Sequence, residues 1–363
     1  MLNSLRFKAR PFTSRLRTRL LDTLENRRWV VAGDPHFLVL RHWRDPRMYE
    51  TLLRWMEINF PEVRSCFYRR TWPVRLIDLE NASIVIPWLQ DPVPNWSIDV
   101  HAGLCSFADS AYAHDIPVFN HPASQLNAAR RTTSELLSGL DIRVPKVMLI
   151  ESEQDLLRIW NEFSGPVILR SHWGHGGTFL KLERGELPDW RFVSTLTNAA
   201  AIEYIDTSDE QGLFTKFRYL AAGTRGISAH RITSVAWEVR GSNKLLHDKQ
   251  LADEQHYMEY LDVNHKIFQK ARVALGLDLV AFDYSYDREG RIVIWEGNPN
   301  PGISFGSHAE RLRYRHAAFH RCFAAMTCAY FDKAGLEAPK RLAALCDYSG
   351  ELSDRLLKRL QLC

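Results

Sequence analysis

The sequence predicts a mixed α/β and α+β fold of several units, and two observations lead to this expectation. The first third alternates short apolar runs with helical periodicity, giving strand patterns at 36–41 and 82–88 and helix patterns at 46–59 and 101–114. Nearer the C-terminus, residues 279–295 have the pattern of an antiparallel hairpin that turns at Asp287–Gly290. Helical patterns fill the chain after residue 307.

Composition supports an ordinary globular chain: it has 363 residues, of which 45% are hydrophobic and 25% charged, with a formal net charge of +4. That length suits roughly two or three structural units. No apolar run approaches the roughly 20 residues that cross a bilayer, so we expect no membrane span. The modest charge gives no reason to expect a nucleic-acid partner. We expect a cytoplasmic protein.

One strongly basic segment covers residues 6–28, where Leu16, Leu20 and Leu24 recur at helical spacing between arginines. A surface helix that docks on its own domain would have this pattern. An arm that binds a membrane surface or a polyanion, or that targets an organelle, would have it too. The sequence leaves these alternatives open.

The middle of the chain predicts a second unit that begins near Pro122. A helix pattern at about 123–139 is followed by a strand pattern at 146–150. Residues 166–183 then predict two strands joined by a glycine-rich loop, whose glycines are Gly174, Gly176 and Gly177. Glycine amides can approach an anion closely, although a glycine-rich hairpin tip is also a common structural feature.

The following segments lead up to the C-terminal hairpin. Residues 200–207, AAIEYIDT, predict a short strand that carries Glu203, and two further strand patterns follow it. A long helix is predicted at about 252–274.

The hairpin itself places carboxylates where a strand ends in IWEGNPNPG. Glu296 and Asn298 are two residues apart, so their side chains point to the same face of a strand. If Tyr286 pairs with Arg291, Asp283 lies opposite Ile294 and is a diagonal neighbour of Glu296. Oxygen ligands of this kind favour magnesium or manganese over zinc. A solvent-facing hairpin with incidental acids would also have this sequence.

The order of these segments resembles the ATP-grasp superfamily of carboxylate-amine ligases, of the type represented by glutathione synthetase, D-alanine:D-alanine ligase and the ribosomal-protein glutamate ligases. The resemblance runs from about Ile116 to Phe305 and is strongest in LGLDLVAFDYSYDREGRIVIWEGNPNPGI. The glycine-rich hairpin and the strand that contains Glu203 support it. The combination is specific, whereas each part alone would be weak.

The resemblance implies a nucleotide and metal site. It implies that ATP and Mg²⁺ (or Mn²⁺) are the cofactors, and that the metal ligands are Asp283, Glu296 and Asn298. It also implies a glycine loop over the phosphates, and an adenine site formed by the Glu203 carboxylate and the main chain of Tyr204 and Ile205. Glu210 or Asp206 would hold the ribose.

The resemblance assigns four arginines to the phosphates. Arg130 and Arg170 stand where the family usually has lysines, and arginine holds phosphate through a planar fork rather than a compact ammonium. Arg231 and Arg240 lie near positions that stabilise the transferring phosphoryl group. For these two, a strand-edge arginine paired with a surface acid is an equally good interpretation.

The implied architecture has four parts: an N-terminal α/β unit at 1–120 that could bind substrate, a central lid unit at 121–205, a C-terminal unit with the metal site at 206–335, and appended helices at 336–363. The implied function is ATP-dependent ligation through an acyl phosphate. Its substrates would be a small-molecule or peptide carboxylate and an amine or similar nucleophile. A kinase on the same fold that phosphorylates a hydroxyl, and a non-catalytic nucleotide-binding protein, remain as alternatives.

Overall fold

A computed structural model describes residues 2–31, 33–45, 49–89, 92–173, 178–186, 188–303 and 310–361, with side chains from residue 14 onward. By contacts the chain divides into two compact units. Unit 1 contains residues 1–123, 222–225 and 300–363, and unit 2 contains 124–221 and 226–299. The four-part division predicted from the sequence stays a prediction. Within the described ranges, no helix is both long enough and apolar enough to cross a membrane.

The described chain forms helices and strands throughout its length. The helices are α1 (Leu2–Trp29), α2 (Glu50–Asn59), α3 (Pro61–Arg64), α4 (Ile98–Tyr112), α5 (Pro122–Gln125), α6 (Arg130–Leu137), α7 (Glu153–Trp160), α8 (Trp190–Val193), α9 (Asp248–Glu259), α10 (His265–Ala274), α11 (Arg315–Lys333), α12 (Lys340–Ala344) and α13 (Glu351–Leu357). The strands are β1 (His36–Arg41), β2 (Phe67–Thr71), β3 (Ala82–Trp88), β4 (Val147–Leu149), β5 (Val167–Ser171), β6 (Phe179–Leu182), β7 (Ala199–Glu203), β8 (Phe214–Ala222), β9 (Arg225–Ser234), β10 (Leu279–Tyr286) and β11 (Ile292–Asn298). This mixture confirms the predicted α/β and α+β class.

Unit 1 is built on a three-stranded parallel sheet, sheet I, with the strand order β2-β1-β3. The central strand β1 is buried along its whole length, and its four inner residues, FLVL, are apolar, as is typical of a parallel strand covered on both faces. Helix α4 packs against one face through Leu104 and Phe107. Helix α11 is also buried, and its Tyr330 hydroxyl accepts a hydrogen bond from the indole of Trp88 on β3 at 3.1 Å.

Helix α1 attaches to the β2 edge of sheet I through polar side chains. The Asn26 amide donates to the carbonyl of Arg69 and accepts from its N–H, both at 2.9 Å, as a neighbouring strand would. Asp22 accepts a hydrogen bond from Thr71 Oγ1 at 2.5 Å and pairs with Arg41 at 2.5 Å. Asp22 and Asn26 are buried, with 2% and 5% exposure, so the polar stripe of α1 faces the domain.

Unit 2 contains two four-stranded sheets. Sheet II has the strand order β4-β7-β5-β6, and sheet III has the order β11-β10-β8-β9. The core of sheet III is aromatic: Phe268 of α10 stacks on Tyr219 and Phe282, with ring centroids 4.6 and 5.7 Å away. Sheet II buries Leu169 and Ala201 against α7.

Two predicted helices are wrong in extent. The helix predicted at about 252–274 is two helices, α9 and α10, because the chain turns at the buried Asp262. The Asp262 carboxylate accepts a hydrogen bond from the Asn264 N–H at 2.8 Å, and the Asp262 carbonyl accepts one from the His265 N–H at 3.0 Å. The helix predicted at about 123–139 is broken by a 3₁₀ turn at Leu126–Ala128, and Ala129 is extended before α6.

We predict that Asn26→Ala lowers the free energy of unfolding by about 1–3 kcal/mol, because it leaves the buried main-chain groups of Arg69 without partners. Denaturant unfolding followed by circular dichroism measures this. Asn161→Ala is the matched control, since that amide makes a single exposed hydrogen bond to the Leu157 carbonyl. Its effect should stay within about 0.5 kcal/mol. Equal effects of the two substitutions would contradict the edge-covering role of Asn26.

Candidate nucleotide and metal site

A β-bulge in sheet III decides where the acidic side chains point. Between the turn and the bulge, Tyr286 pairs with Ile292 and Tyr284 with Ile294. On the other side of the bulge, Asp283 pairs with Glu296 and Ala281 with Asn298. The predicted register, in which Asp283 lies opposite Ile294, is therefore wrong. The two carboxylates are directly opposite rather than diagonal.

The bulge explains how two consecutive residues serve one surface. Trp295 has no residue paired with it in the β10–β11 register, and both Trp295 and Glu296 line the same cleft although strand neighbours normally alternate. If the register near the turn continued without the bulge, Glu296 would pair with Phe282, which is a core residue, and the Glu296 carboxylate would be buried. The extra residue thus places Glu296 beside Asp283.

Asp283 is held by two cations from the neighbouring strand β8. Arg218 donates to both of its carboxylate oxygens, at 2.6 and 2.9 Å, and Lys216 Nζ lies 3.1 Å from one of them. Burial raises the pKa of Asp283, but Arg218 and Lys216 more than offset this and hold the pKa well below its ordinary value. The carboxylate is therefore ionised at neutral pH.

Glu296 is held from the other side by Arg130, the first residue of α6. Arg130 Nη2 lies 3.2 Å from Glu296 Oε2, and its Nη1 donates to the carbonyls of Ser171 and His172 at 3.3 and 3.0 Å. Burial lowers the pKa of Arg130, whereas Glu296 acts to raise it. Arg130 thus joins the end of β5 to Glu296.

The two sheets of unit 2 enclose an open cleft with about 760 Å³ of empty space, counting the part open to solvent. Part of the lining is aromatic: the centroid of the Trp237 ring lies 5.4 Å from that of Phe179 and 5.8 Å from that of Tyr204, edge to face. The lining also carries charged residues, which are Arg170, Lys216, Glu238, Asp283 and Glu296.

The charged part of the cleft lining offers hard oxygen donors for a divalent cation. Asp283 and Glu296 both line the cleft, and Asn298 lies two residues further along β11 on the Glu296 side, since Gly297 packs toward Val280 and Phe282. In the described part of the chain, no three His, Cys, Asp or Glu side chains form a metal-binding group. The available set is two carboxylates and an amide, which fits Mg²⁺ with water and phosphate completing its shell.

The structure brings some of the other expected site residues to the cleft. Arg170, Tyr204 and Ile205 line it. Burial and the nearby Arg130 lower the pKa of Arg170 to about 10, so it remains a cation at neutral pH. Arg130 does not line the cleft but contacts Glu296 behind its wall.

Other expected side chains do not line the cleft. The Glu203 carboxylate is outside the cleft lining; it pairs with Arg143 at 3.0 Å and accepts the Lys146 N–H at 3.0 Å. Arg231 pairs with Asp253 at 2.6 Å, and Arg240 pairs with Glu238 and lies over the ring of Phe179, 5.0 Å from its centroid. Arg231, Arg240 and the exposed Glu210 do not line the cleft. The loop with Gly174, Gly176 and Gly177 lies outside the described residues.

Sequence reasoning missed four residues that shape this cleft: Lys216, Arg218, Phe179 and Trp237. The alternation in FTKFRYLAA carried a signal for the two cations, because Lys216 and Arg218 share one face of β8. Trp237 follows the end of β9 in a segment without periodicity, so its place against Phe179 depends on tertiary packing.

Comparisons with known proteins identify the fold. A scan against family models finds no match, and a search of curated proteins finds none. Among solved structures, a D-alanine–D-alanine ligase from Bacillus anthracis is similar, with 11% identity and a TM-score of 0.51 over 82% of this chain and 97% of that one. A RiPP-associated ATP-grasp ligase from Chryseobacterium gregarium, in complex with ADP and a leader and core peptide, is 9% identical, with a TM-score of 0.50 over 84% and 97%. The chain has the ATP-grasp fold, as the sequence predicted.

We predict that Arg218→Ala lowers the free energy of unfolding by about 1.5–3 kcal/mol, because the nearly buried Asp283 loses its bidentate partner. Urea unfolding at neutral pH measures the loss. The matched control is Arg288→Ala, whose exposed guanidinium pairs with Asp206 at 2.9 Å and should contribute less than about 1 kcal/mol. A cost for Arg218→Ala no larger than the control's would show that Lys216 alone is sufficient for Asp283.

Proposed function

We propose that this protein is an ATP-dependent ligase that activates a carboxylate as an acyl phosphate and joins it to an amine or a similar nucleophile. The single observation that carries the proposal is the cleft of unit 2, whose lining combines aromatic and charged side chains. Trp237 and Tyr204 belong to the aromatic part of the lining, and Asp283 and Glu296 lie opposite each other on β10 and β11. The proposed cofactors are ATP and Mg²⁺, or Mn²⁺. The cytoplasmic location expected from the sequence stays a prediction.

The cleft matches a nucleotide in its chemistry. An adenine ring can pack against Tyr204, Phe179 and Trp237, and the phosphates then extend toward Arg170 and Lys216. Because Glu203 is held by Arg143, we propose that the base is recognised by the main chain near Tyr204 and Ile205 rather than by the Glu203 carboxylate. This revises the role that the resemblance implied for that side chain.

Asp283, Glu296 and Asn298 are the residues that would hold the metal. When bound, the cation supplies positive charge against phosphate oxygens. Arg218 and Lys216 keep Asp283 ionised, and Arg130 orients Glu296. These partners fix the carboxylates before any ligand enters.

The reaction needs no nucleophile from the protein. A substrate carboxylate oxygen attacks the terminal phosphorus of ATP, and the bond to the bridging oxygen breaks, giving an acyl phosphate and ADP. An amine then attacks the acyl carbon, loses a proton, and releases inorganic phosphate. Arg170 and Lys216 would neutralise the charge that develops on the transferred group, and the cleft would align the reactants.

The substrates are proposed only as classes. The two similar structures are a ligase of D-alanine and a ligase in complex with a leader and core peptide. Both small-molecule and peptide carboxylates therefore belong in the test. The acceptor is an amine or a similar nucleophile.

Incubation with ATP, Mg²⁺ and pools of amino acids and peptides tests the reaction. We expect ADP and inorganic phosphate in equal amounts, together with a new mass that equals the two substrates less one water. Glu296→Gln should lower turnover at least about tenfold, because a neutral amide replaces a charged metal ligand. The control Glu289→Gln, at the hairpin turn, should keep full activity because that side chain is 69% exposed.

Two results would contradict the ligase proposal. A product that retains the phosphate would indicate a kinase, and nucleotide binding without any turnover would indicate a binding protein. Equal activity of Glu296→Gln and Glu289→Gln would instead reject the assigned metal position.

We predict that Arg170→Ala weakens binding of ATP by about 1.5–3 kcal/mol, roughly 10- to 150-fold in Kd, because a cleft cation that faces the phosphates is lost. Calorimetric titration with a non-hydrolysable ATP analogue measures this. Arg170→Lys should recover part of the affinity, since it keeps the charge but loses the planar fork. Arg184→Ala, at an exposed turn of the same unit, should bind as wild type does. Wild-type affinity in Arg170→Ala would place the phosphates elsewhere.

A further inference from the structure

Helix α1 turns its leucines away from the protein. Leu16, Leu20 and Leu24 are 52%, 61% and 54% exposed, whereas Asp22 and Asn26 on the opposite side are 2% and 5% exposed. A helix that docks only on its own domain normally buries its apolar stripe. Here the polar stripe makes the attachment and the apolar stripe is left outward.

The charges beside these leucines have one sign. Arg17, Arg27 and Arg28 are exposed on α1. The acids of the described part of α1 are engaged inward: Asp22 with Arg41, and Glu25 with Arg64 and Arg69 at 3.4 and 3.5 Å. In the described part of α1, the outward surface is therefore leucine and arginine.

A groove along one flank of α1 adds further cations. It consists of two pockets between α1 and the segment of residues 73–81, which share Arg70 and Arg75, and its arginines are Arg15, Arg19, Arg27, Arg70 and Arg75. Of the three acids in its walls, Asp22 is held by Arg41, Asp78 is held by Arg70 at 2.9 Å, and Glu80 is exposed. On the side of the groove opposite α1, Leu76 and Ile77 are 57% and 52% exposed. The groove thus combines positive charge with apolar rims.

The exposed leucines and arginines indicate which kind of partner fits this surface. A second copy of the chain would bring Arg17, Arg27 and Arg28 against their own counterparts, without free acids on α1 to pair with them. A nucleic acid would match the arginines but would leave the leucines in water. A surface that is apolar just beneath an anionic layer matches both.

We propose that the outward face of α1, together with its arginine groove, is a docking surface for an anionic lipid membrane. The leucines enter the boundary between head groups and acyl chains, with α1 in the plane of the surface. The arginines of α1 and of the groove contact lipid phosphates and carboxylates. This proposal does not rest on the ligase activity, because none of these residues lines the nucleotide cleft.

Sedimentation of the full chain with vesicles tests the proposal. We expect binding to phosphatidylcholine vesicles that contain phosphatidylserine, weak binding to phosphatidylcholine alone, and loss of binding at high salt. Leu20→Gln with Leu24→Gln should weaken binding at least about tenfold, because two exposed leucines no longer enter the lipid. Arg17→Gln and Arg28→Gln should each weaken it about fivefold.

Matched controls separate the surface from general effects. Leu157→Gln replaces a leucine that is 55% exposed on α7, and Arg54→Gln replaces an exposed arginine of α2. Both should sediment as wild type does. All variants change exposed side chains, so melting temperature and ATP binding should be unchanged.

Several outcomes would overturn the proposal. One is wild-type protein that stays in the supernatant or binds both vesicle types equally. Another is binding that depends on the arginines but not on the leucines, which would indicate a polyanion site. A wild-type dimer that dissociates in the Leu20→Gln, Leu24→Gln variant would identify a second copy as the occupant.

Discussion

The arrangement of the cleft depends on two opposed carboxylates, each of which the protein pairs with cations. Asp283 and Glu296 lie directly opposite each other on paired strands, and their carboxylates would repel each other if no cations were present. Arg218 and Lys216 relieve that repulsion from β8, and Arg130 relieves it from α6. Sheet III, the start of α6 and the end of β5 are consequently fixed relative to one charged centre. Any cation that enters must share the carboxylates with these side chains.

The fold was accessible from sequence because its signals are local. Alternating hydrophobicity and turn residues identify the hairpin of β10 and β11, and the same face for Glu296 and Asn298 follows from strand geometry. Its register was not accessible, because the bulge at Trp295 shifts the strand pairing by one residue; across the hairpin, the Trp295 indole donates to Ser285 Oγ at 3.0 Å. A one-residue irregularity of this kind leaves no mark in a period-two pattern.

Side-chain roles that depend on distant partners were the least predictable. Glu203 lies on the expected strand, yet Arg143, 60 positions earlier, holds its carboxylate. The period of four in α1 predicted a helix correctly, but it could not tell which stripe faces the domain. Asp22 and Asn26 decide that by bonding to residues of sheet I that are far away in sequence. Long-range polar contacts are invisible to a reading of local hydrophobicity.

The amide of Asn26 has a consequence beyond anchoring a helix. A strand at the border of a sheet exposes unpaired N–H and C=O groups that can recruit a strand from another molecule. On β2, the middle residue of FYRRT already has both groups occupied by one side chain. An intruding strand would have to displace a bidentate partner that is held in a folded helix. Asn26 therefore occupies, at the centre of the β2 edge, the main-chain groups that an added strand would need.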